Sequence, residues 1–541
     1  MFLRRLFSSA HGRSSNDSGF QVFREASKKA NWDRTAIIDP STTLTYGNVV
    51  RSVARLAATP RMQQVAPGDR VAFLLPRKSS YVIAQWTTWT RRAIAVPLCT
   101  SHPPQELAHV VADSRPRLVL FAPEFKHKID ETRNDDRVAA LAGTVDFVEW
   151  SGDGDDAVVA ANETGALDSQ TPPLDKEGGA LIIYTSGTTG KPKGVLTTYK
   201  NIEAQVASLL DAWRWVKDDK ILLVLPLHHV HGVINVVTCA LAAGATLEMA
   251  PEKLSPKGMW DRFAQGGLTL FMAVPTIYAR LLEYYDSCNE EEQKKMRDSC
   301  KQFRLMVSGS AALPQPLFEK WEKVSGHRLL ERYGMTEIGM ALGNRYDGER
   351  EPGRVGVPFP NVQVKLDQET GELFVKGPQV FKEYWGNQVA TKKAFDADGW
   401  FATGDVAAKG GPNDTWQILG RASVDIIKSG GYKLSALTIE RELLGIPGVM
   451  DVAVLGVPDE IWGERVGAVV VYSGGVKAGQ EAAVAKLLQE QLKTRLAKYE
   501  IPSVFHFCEQ IPRNAMLKVI KKAIQFQQSV ERTRSSPLIP Q

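Results

Sequence analysis

A chain of 541 residues is longer than one hydrophobic core serves, so two or more domains are expected. With 43% apolar and 23% charged residues it has a globular enzyme's composition, and a net charge of +5 makes no case for nucleic acid. Cys99, Cys239, Cys288, Cys300 and Cys508 show no CxxC pair and no metal-ligand spacing, and read as buried or idle thiols of a reducing compartment. No apolar run reaches the ~18 residues that span a bilayer.

The first fifteen residues carry arginines and serines, no acid, and Phe2, Leu3, Leu6 and Phe7 on one side of a notional helix. Residues 1–18 thus suit a mitochondrial transit peptide, a disordered tail being the plainer alternative. From Phe20 to about Val148, helices and short strands alternate. A helix opens at Thr43–Tyr46, Asp69–Leu75 is a strand, Ser79–Arg91 a helix and Ala93–Leu98 a strand. That rhythm predicts a parallel, doubly wound sheet. Residues 151–175 form a polar loop.

Ala180-Leu181-Ile182-Ile183 is a buried strand that delivers Tyr184, Thr185, Ser186, Gly187, Thr188, Thr189, Gly190, Lys191, Pro192, Lys193 and Gly194. Glycine turns expose backbone N–H groups, hydroxyls add donors and two ammonium groups add charge, which suits a polyphosphate. The loop is not a Walker A motif, because Pro192 follows Lys191 where that motif needs Ser or Thr. A plain surface loop is the alternative.

Beyond it, Asn201–Trp215 is helical, and Ile221–Leu227 is a strand leading to His228-His229-Val230-His231-Gly232. Three histidines invite zinc, but no H-x-x-x-H pair or carboxylate lies nearby in sequence, so metal is not expected there. Val233–Leu247 reads as a buried helix. Leu270–Val274 is a strand, and Pro275 starts a helix with Arg280 at the margin of its buried face. Leu305–Pro314 is a strand and a turn of small residues, including Ser310 and Ala311, where backbone can lie against a flat ligand. Leu329–Glu337 is another strand exit, with Tyr333, Thr336 and Glu337 at its end. Gly353–Gly420 reads as β-rich and holds Thr403-Gly404-Asp405. After Arg421 a small α+β unit runs to about Gln525, and residues 526–541 read as a disordered tail.

This ordered set, from the phosphate loop to Lys518, resembles the acyl-adenylate-forming superfamily over roughly residues 20–525. The resemblance implies an α/β fold: a large N-terminal domain (19–420) of stacked doubly wound sheets with a β-rich subdomain, and a mobile C-terminal domain (421–525). It implies ATP and coenzyme A as co-substrates, Mg2+ on Glu337, and a small carboxylic acid as the third partner. Thr185 to Lys193 would hold phosphates, Tyr333 would stack on adenine beside Ser310 and Ala311, and Asp405 and Arg421 would meet the ribose or phosphate. Lys518, Thr336, Glu337 and His231 would serve catalysis. Lys518 would bridge the two anions that adenylation brings together. His231 would lie against the acyl pocket, or be an ordinary core histidine.

Gly430-Gly431 would face coenzyme A after the small domain swings about Ser423 or Asp425, or be simply a strand turn. Leu517 departs from the glycine that usually precedes the catalytic lysine. Four segments resemble the malonyl-CoA synthetase branch: His228–Gly232, Val274–Leu282, Gly420–Lys428 and Pro512–Met516. There the Arg280 equivalent holds the carboxylate that is not activated, which implies malonate or methylmalonate. A fatty acyl-CoA synthetase is the alternative, and a non-catalytic nucleotide-binding relative is a second. The sequence carries no signature of oligomeric state.

Overall fold

The computed structural model describes residues 19–152, 173–185, 192–513, 519, 521 and 524. Among them are four sheets. The seven-stranded sheet places Arg70–Leu74 between Ile94–Pro97 and Leu118–Phe121, all parallel, as the strand–helix–strand rhythm requires. The nine-stranded sheet carries Leu305–Ser308, Leu270–Ala273, Lys220–Leu223 and Thr246–Met249 side by side, also parallel. Both are mixed rather than purely parallel. Lys193–Thr198 runs antiparallel to Gly179–Thr185, and Gly339–Gly343 runs antiparallel to Leu330–Met335. In each case a hairpin returns the chain directly, so no crossover helix is needed.

The helix Ser79–Thr90 is buried along its whole length. Trp89 Nε1 donates to Ala180 O at 2.8 Å, and Tyr81 Oη donates to Leu227 O at 2.7 Å. The helix thereby ties the seven-stranded sheet to the segment leaving the nine-stranded one. One core cluster joins Val71, Phe73 and Leu181 of the first sheet to Ile37, Ile221 and Leu270 of the second. Each fully buried large side chain there contributes about 1.5–3 kcal/mol.

The helix expected over Val233–Leu247 ends early. A π-helix, His231–Thr238, passes into Cys239–Ala242, and Gly244 at φ 75° turns the chain out. Thr246–Met249 then joins the nine-stranded sheet. A left-handed glycine just past a helix satisfies its last carbonyls and stops it.

Four antiparallel strands between Gln363 and Arg421 form the β-rich part. A five-stranded sheet built after Arg421, with the helices Ala436–Leu444 and Glu481–Leu492, forms the small C-terminal domain. The fold is thus α/β with a large N-terminal and a small α+β C-terminal domain.

Candidate active site

The β-rich sheet positions the first cluster by register alone. Asp405 on Phe401–Gly410 is the cross-strand partner of Arg421 on Thr415–Arg421. Arg421 Nε donates to Asp405 Oδ1 at 2.8 Å. Tyr333, near the end of Leu330–Met335, donates its hydroxyl to Asp405 Oδ2 at 2.6 Å. Burial and the neighbouring Asp405 hold the Tyr333 hydroxyl well above the usual tyrosine range, so it stays a donor. Burial opposes the Arg421 charge, but Asp405 outweighs it, and the guanidinium titrates above its ordinary value.

A second cluster lies on the exit of Leu305–Ser308, the parallel neighbour of Leu330–Met335. A Cβ on Gly309 would sit 2.5 Å from the guanidinium carbon of Arg332, so a larger residue there would have to displace that guanidinium. Ser310 follows at φ 69°, a left-handed conformation uncommon for serine. Its Oγ accepts from Arg332 Nη2 at 3.4 Å and lies 3.2 Å from His231 Nδ1. Arg332 is 3% exposed, and burial pulls its pKa down to about 9. Burial, the Arg332 charge and His229 together push His231 well below the usual histidine range, so its ring is neutral. His231 Nε2 is buried without a hydrogen-bond partner among the described residues.

Glu337 occupies the turn between Leu330–Met335 and Gly339–Gly343 and is 5% exposed. Burial raises its pKa against the pull of Arg421 and Lys193. Tyr384 Oη donates to Glu337 Oε1 at 3.0 Å, and Lys193 Nζ stands 4.3 Å from the Tyr384 ring centre. Thr185 and Lys193 face each other across the hairpin that closes the phosphate loop. Pro192 O accepts from the His109 ring at 2.9 Å. Ser186, Gly187, Thr188, Thr189, Gly190 and Lys191 lie outside the described residues, as do Leu517 and Lys518. Thr336 is half-buried and lines a cavity with Ile234, Asn235, Gln205 and Gln379. Both amide atoms of Asn235, and the Gln205 and Gln379 amide nitrogens, have no partner there among the described residues.

The structure therefore brings Tyr333, Asp405 and Arg421 together, and separately Ser310 and His231, with Glu337 electrostatically coupled to Arg421 and Lys193. Ala311 is exposed beside Ser310. Arg280 is exposed on Pro275–Asp286 and makes no hydrogen bond or ion pair among the described residues. Gly430 and Gly431, at φ 55° and 84°, form a two-residue hairpin turn between Ile426–Ser429 and Tyr432–Ser435. Asp425 is held by Arg421 N at 3.0 Å and by Lys521 Nζ at 2.6 Å, while Ser423 is exposed.

Sequence reasoning missed Arg332, Tyr384 and Lys521. For Arg332 the signal was a run of small residues, Ser308–Ala312, packing against something large. Tyr384 sits among ordinary strand aromatics and gave none. Lys521 also pairs with Glu440 at 2.7 Å, a partner no spacing reveals.

Residues 23–385 match the AMP-binding enzyme family and residues 438–518 match its C-terminal domain. Among similar curated proteins, the mitochondrial malonate–CoA ligase of Homo sapiens is 43% identical, covering 94% of this chain and 92% of its own. That of Xenopus laevis is also 43% identical, covering 91% and 89%. Among solved structures, ATP-bound MatB from Rhodopseudomonas palustris superposes with a TM-score of 0.81 at 31% identity, covering 93% of this chain and 97% of that one. A sequence match over most of the chain, a fold match of the same extent and the clustered Tyr333, Asp405 and Arg421 agree: the chain belongs to the AMP-binding enzyme family.

Proposed function

We propose that the protein is an ATP-dependent acid–thiol ligase that joins malonate to coenzyme A through an acyl-adenylate. The observation that carries this reading is 43% identity over nearly the whole chain with enzymes named malonate–CoA ligase. In the first step one carboxylate oxygen of malonate attacks the α-phosphorus of ATP and pyrophosphate leaves. In the second the coenzyme A thiolate attacks the acyl carbon and AMP leaves. No enzyme nucleophile is needed.

Each half of the chemistry has residues to serve it. Tyr333 would stack on adenine beside Ser310 and Ala311. Asp405 would accept from the ribose: each of its oxygens is used once, by Tyr333 or Arg421, and keeps a second lone pair. Thr185 to Lys193 would hold the phosphates. Lys518 would set a cation between the two anions as charge builds. Glu337 fits a hard cation, since it is a buried carboxylate oriented by Tyr384 whose charge burial disfavours. It would hold Mg2+, which would supply positive charge against the triphosphate.

The cavity beside Thr336 and Asn235 sets the unpartnered amides of Asn235, Gln205 and Gln379 among aliphatic side chains such as Leu181, Ile183 and Val195. Arg280 would pair with the carboxylate that is not activated. His231, buried and neutral beside Ser310, would wall the acyl pocket.

A swing of residues 421–525 against 19–420 would present Gly430-Gly431 to coenzyme A. Support comes from two relatives of equal likeness in sequence. ATP-bound MatB, at 31% identity, superposes at a TM-score of 0.81. A malonyl-CoA ligase ternary product complex with methylmalonyl-CoA and AMP, at 32%, superposes at 0.61. Ser423, exposed and without a hydrogen bond among the described residues, suits the pivot better than the tethered Asp425. The names of the animal relatives and the arginine- and serine-bearing start, acid-free through residue 16, support import into mitochondria.

ATP–pyrophosphate exchange over malonate, methylmalonate, butyrate and decanoate tests the reading. Exchange should be fastest with malonate or methylmalonate. Faster exchange with either monocarboxylate would overturn it.

A further inference from the structure

Two segments distant in sequence meet behind the histidine run. Cys99 to His102 leave the strand Ile94–Pro97 of the seven-stranded sheet in a tight turn, with His102 N donating to Cys99 O at 3.2 Å. His228 follows the strand Lys220–Leu223 of the nine-stranded sheet. A metal-binding atom on each of Cys99, His102 and His228 lies within 4.8 Å of the other two. The sequence argued against metal at His228–His231 for want of a companion at ligand spacing. Folding supplies two, and they form a C-x-x-H pair.

We propose that Cys99, His102 and His228 form a zinc-binding site, which rests on no part of the functional reading above. A thiolate with two imidazoles is a borderline-soft donor set that suits Zn2+ over Mg2+ or Ca2+. Tetrahedral zinc with bonds of about 2.0–2.3 Å needs ligand atoms roughly 3.3–3.6 Å apart. The present atoms, within 4.8 Å of one another, stand at most about 1.5 Å beyond that spacing, which side-chain rotation closes. Cys99 is 4% exposed, and His228 Nε2 is buried with no hydrogen-bond partner among the described residues. His102 Nδ1 lies 3.2 Å from Glu106 Oε2, so a proton held there leaves Nε2 as the ligating nitrogen. A carboxylate behind a ligating histidine is the usual support for such a bond. Three protein ligands leave one tetrahedral position open to water. The ion would pin the turn at His228, and with it the approach to His231 beside Ser310.

The test uses the full chain without a polyhistidine tag, stripped with a chelator and titrated with Zn2+ or Co2+ alone. One ion per chain should bind at about micromolar Kd or tighter, and Co2+ should give a thiolate charge-transfer band in the near ultraviolet. Cys99→Ser should abolish the band and raise Kd about 100-fold. Glu106→Gln, remote from the ion, should raise Kd by about 10-fold while keeping the band. Zn2+ should raise the melting temperature of the parent and not of Cys99→Ser. Absence of the band in the parent, or its persistence in Cys99→Ser, overturns the proposal. If Cys99→Ser fails to fold, the parent spectrum and His102→Gln decide: unchanged affinity in His102→Gln also overturns it.

Discussion

Replacing Asp405 by alanine removes a group that joins two sheets at the proposed nucleotide site. Asp405 is 7% exposed and accepts two hydrogen bonds, at 2.6 Å from Tyr333 and 2.8 Å from Arg421. A bond to a charged group contributes about 1.5–3 kcal/mol. The Arg421 side chain is 30% exposed, so water partly replaces its partner, and about 1 kcal/mol is the fairer figure for that half. The loss to stability should therefore be roughly 3 kcal/mol, seen as a lower melting temperature. Nucleotide binding should suffer separately. A ribose deprived of its charged acceptor loses about 1.5–3 kcal/mol, a roughly 10- to 150-fold weaker Kd. Calorimetry with a non-hydrolysable ATP analogue, below the melting range of the variant, reads that term alone. Asp405→Asn keeps the volume and an acceptor for Tyr333 but loses the charge facing Arg421, so it should fall between parent and alanine in both measurements. If Asp405→Ala melts early yet binds the analogue as the parent does, Asp405 only holds the strands together and its nucleotide role is wrong.

Three further outcomes are expected. Arg280→Ala should lower the ratio of malonate to butyrate kcat/KM, by a factor of hundreds if the guanidinium is desolvated over the substrate, for which breaking the pair costs about 3–5 kcal/mol; Arg280→Lys should restore part. An unchanged ratio would return Arg280 to the surface where this structure has it. Lys518→Ala should abolish adenylate formation while sparing transfer from preformed malonyl-AMP, because the cation is needed only where two anions meet; equal loss in both half-reactions would refute the domain swing. His231 should make the fold acid-sensitive. The buried ring refuses a proton that the unfolded chain takes up near pH ~6.5. The unfolded state thus binds more protons below that pH, and stability falls as pH drops through it. Melting curves from about pH 7.5 to about 5.5 should slope less in His231→Gln than in the parent, and equal slopes would contradict the burial argument.

Local chemistry made much of this protein legible in its residues. Hydrophobic runs and their glycine and proline punctuation located the strands at Arg70–Leu74, Leu270–Ala273 and Leu305–Ser308, because backbone propensity and burial period act over a few residues. The ordered motifs pointed to the family for a similar reason: each is a short loop whose function depends on its own residue types. What the residues could not carry is whatever depends on two distant segments meeting. The helix read through Leu247 stops at Ala242, where Gly244 turns the chain out and Thr246–Met249 pairs with Lys220–Leu223, a strand from earlier in the chain. Tyr384 reaches Glu337, and Arg332 lies under Gly309, only because strands from different parts of the chain are neighbours in register. Cys99 looked idle until folding set it beside His102 and His228. A side chain's chemistry is written in its own residue, but its partners are chosen by packing between sheets, and that is a property of the whole chain.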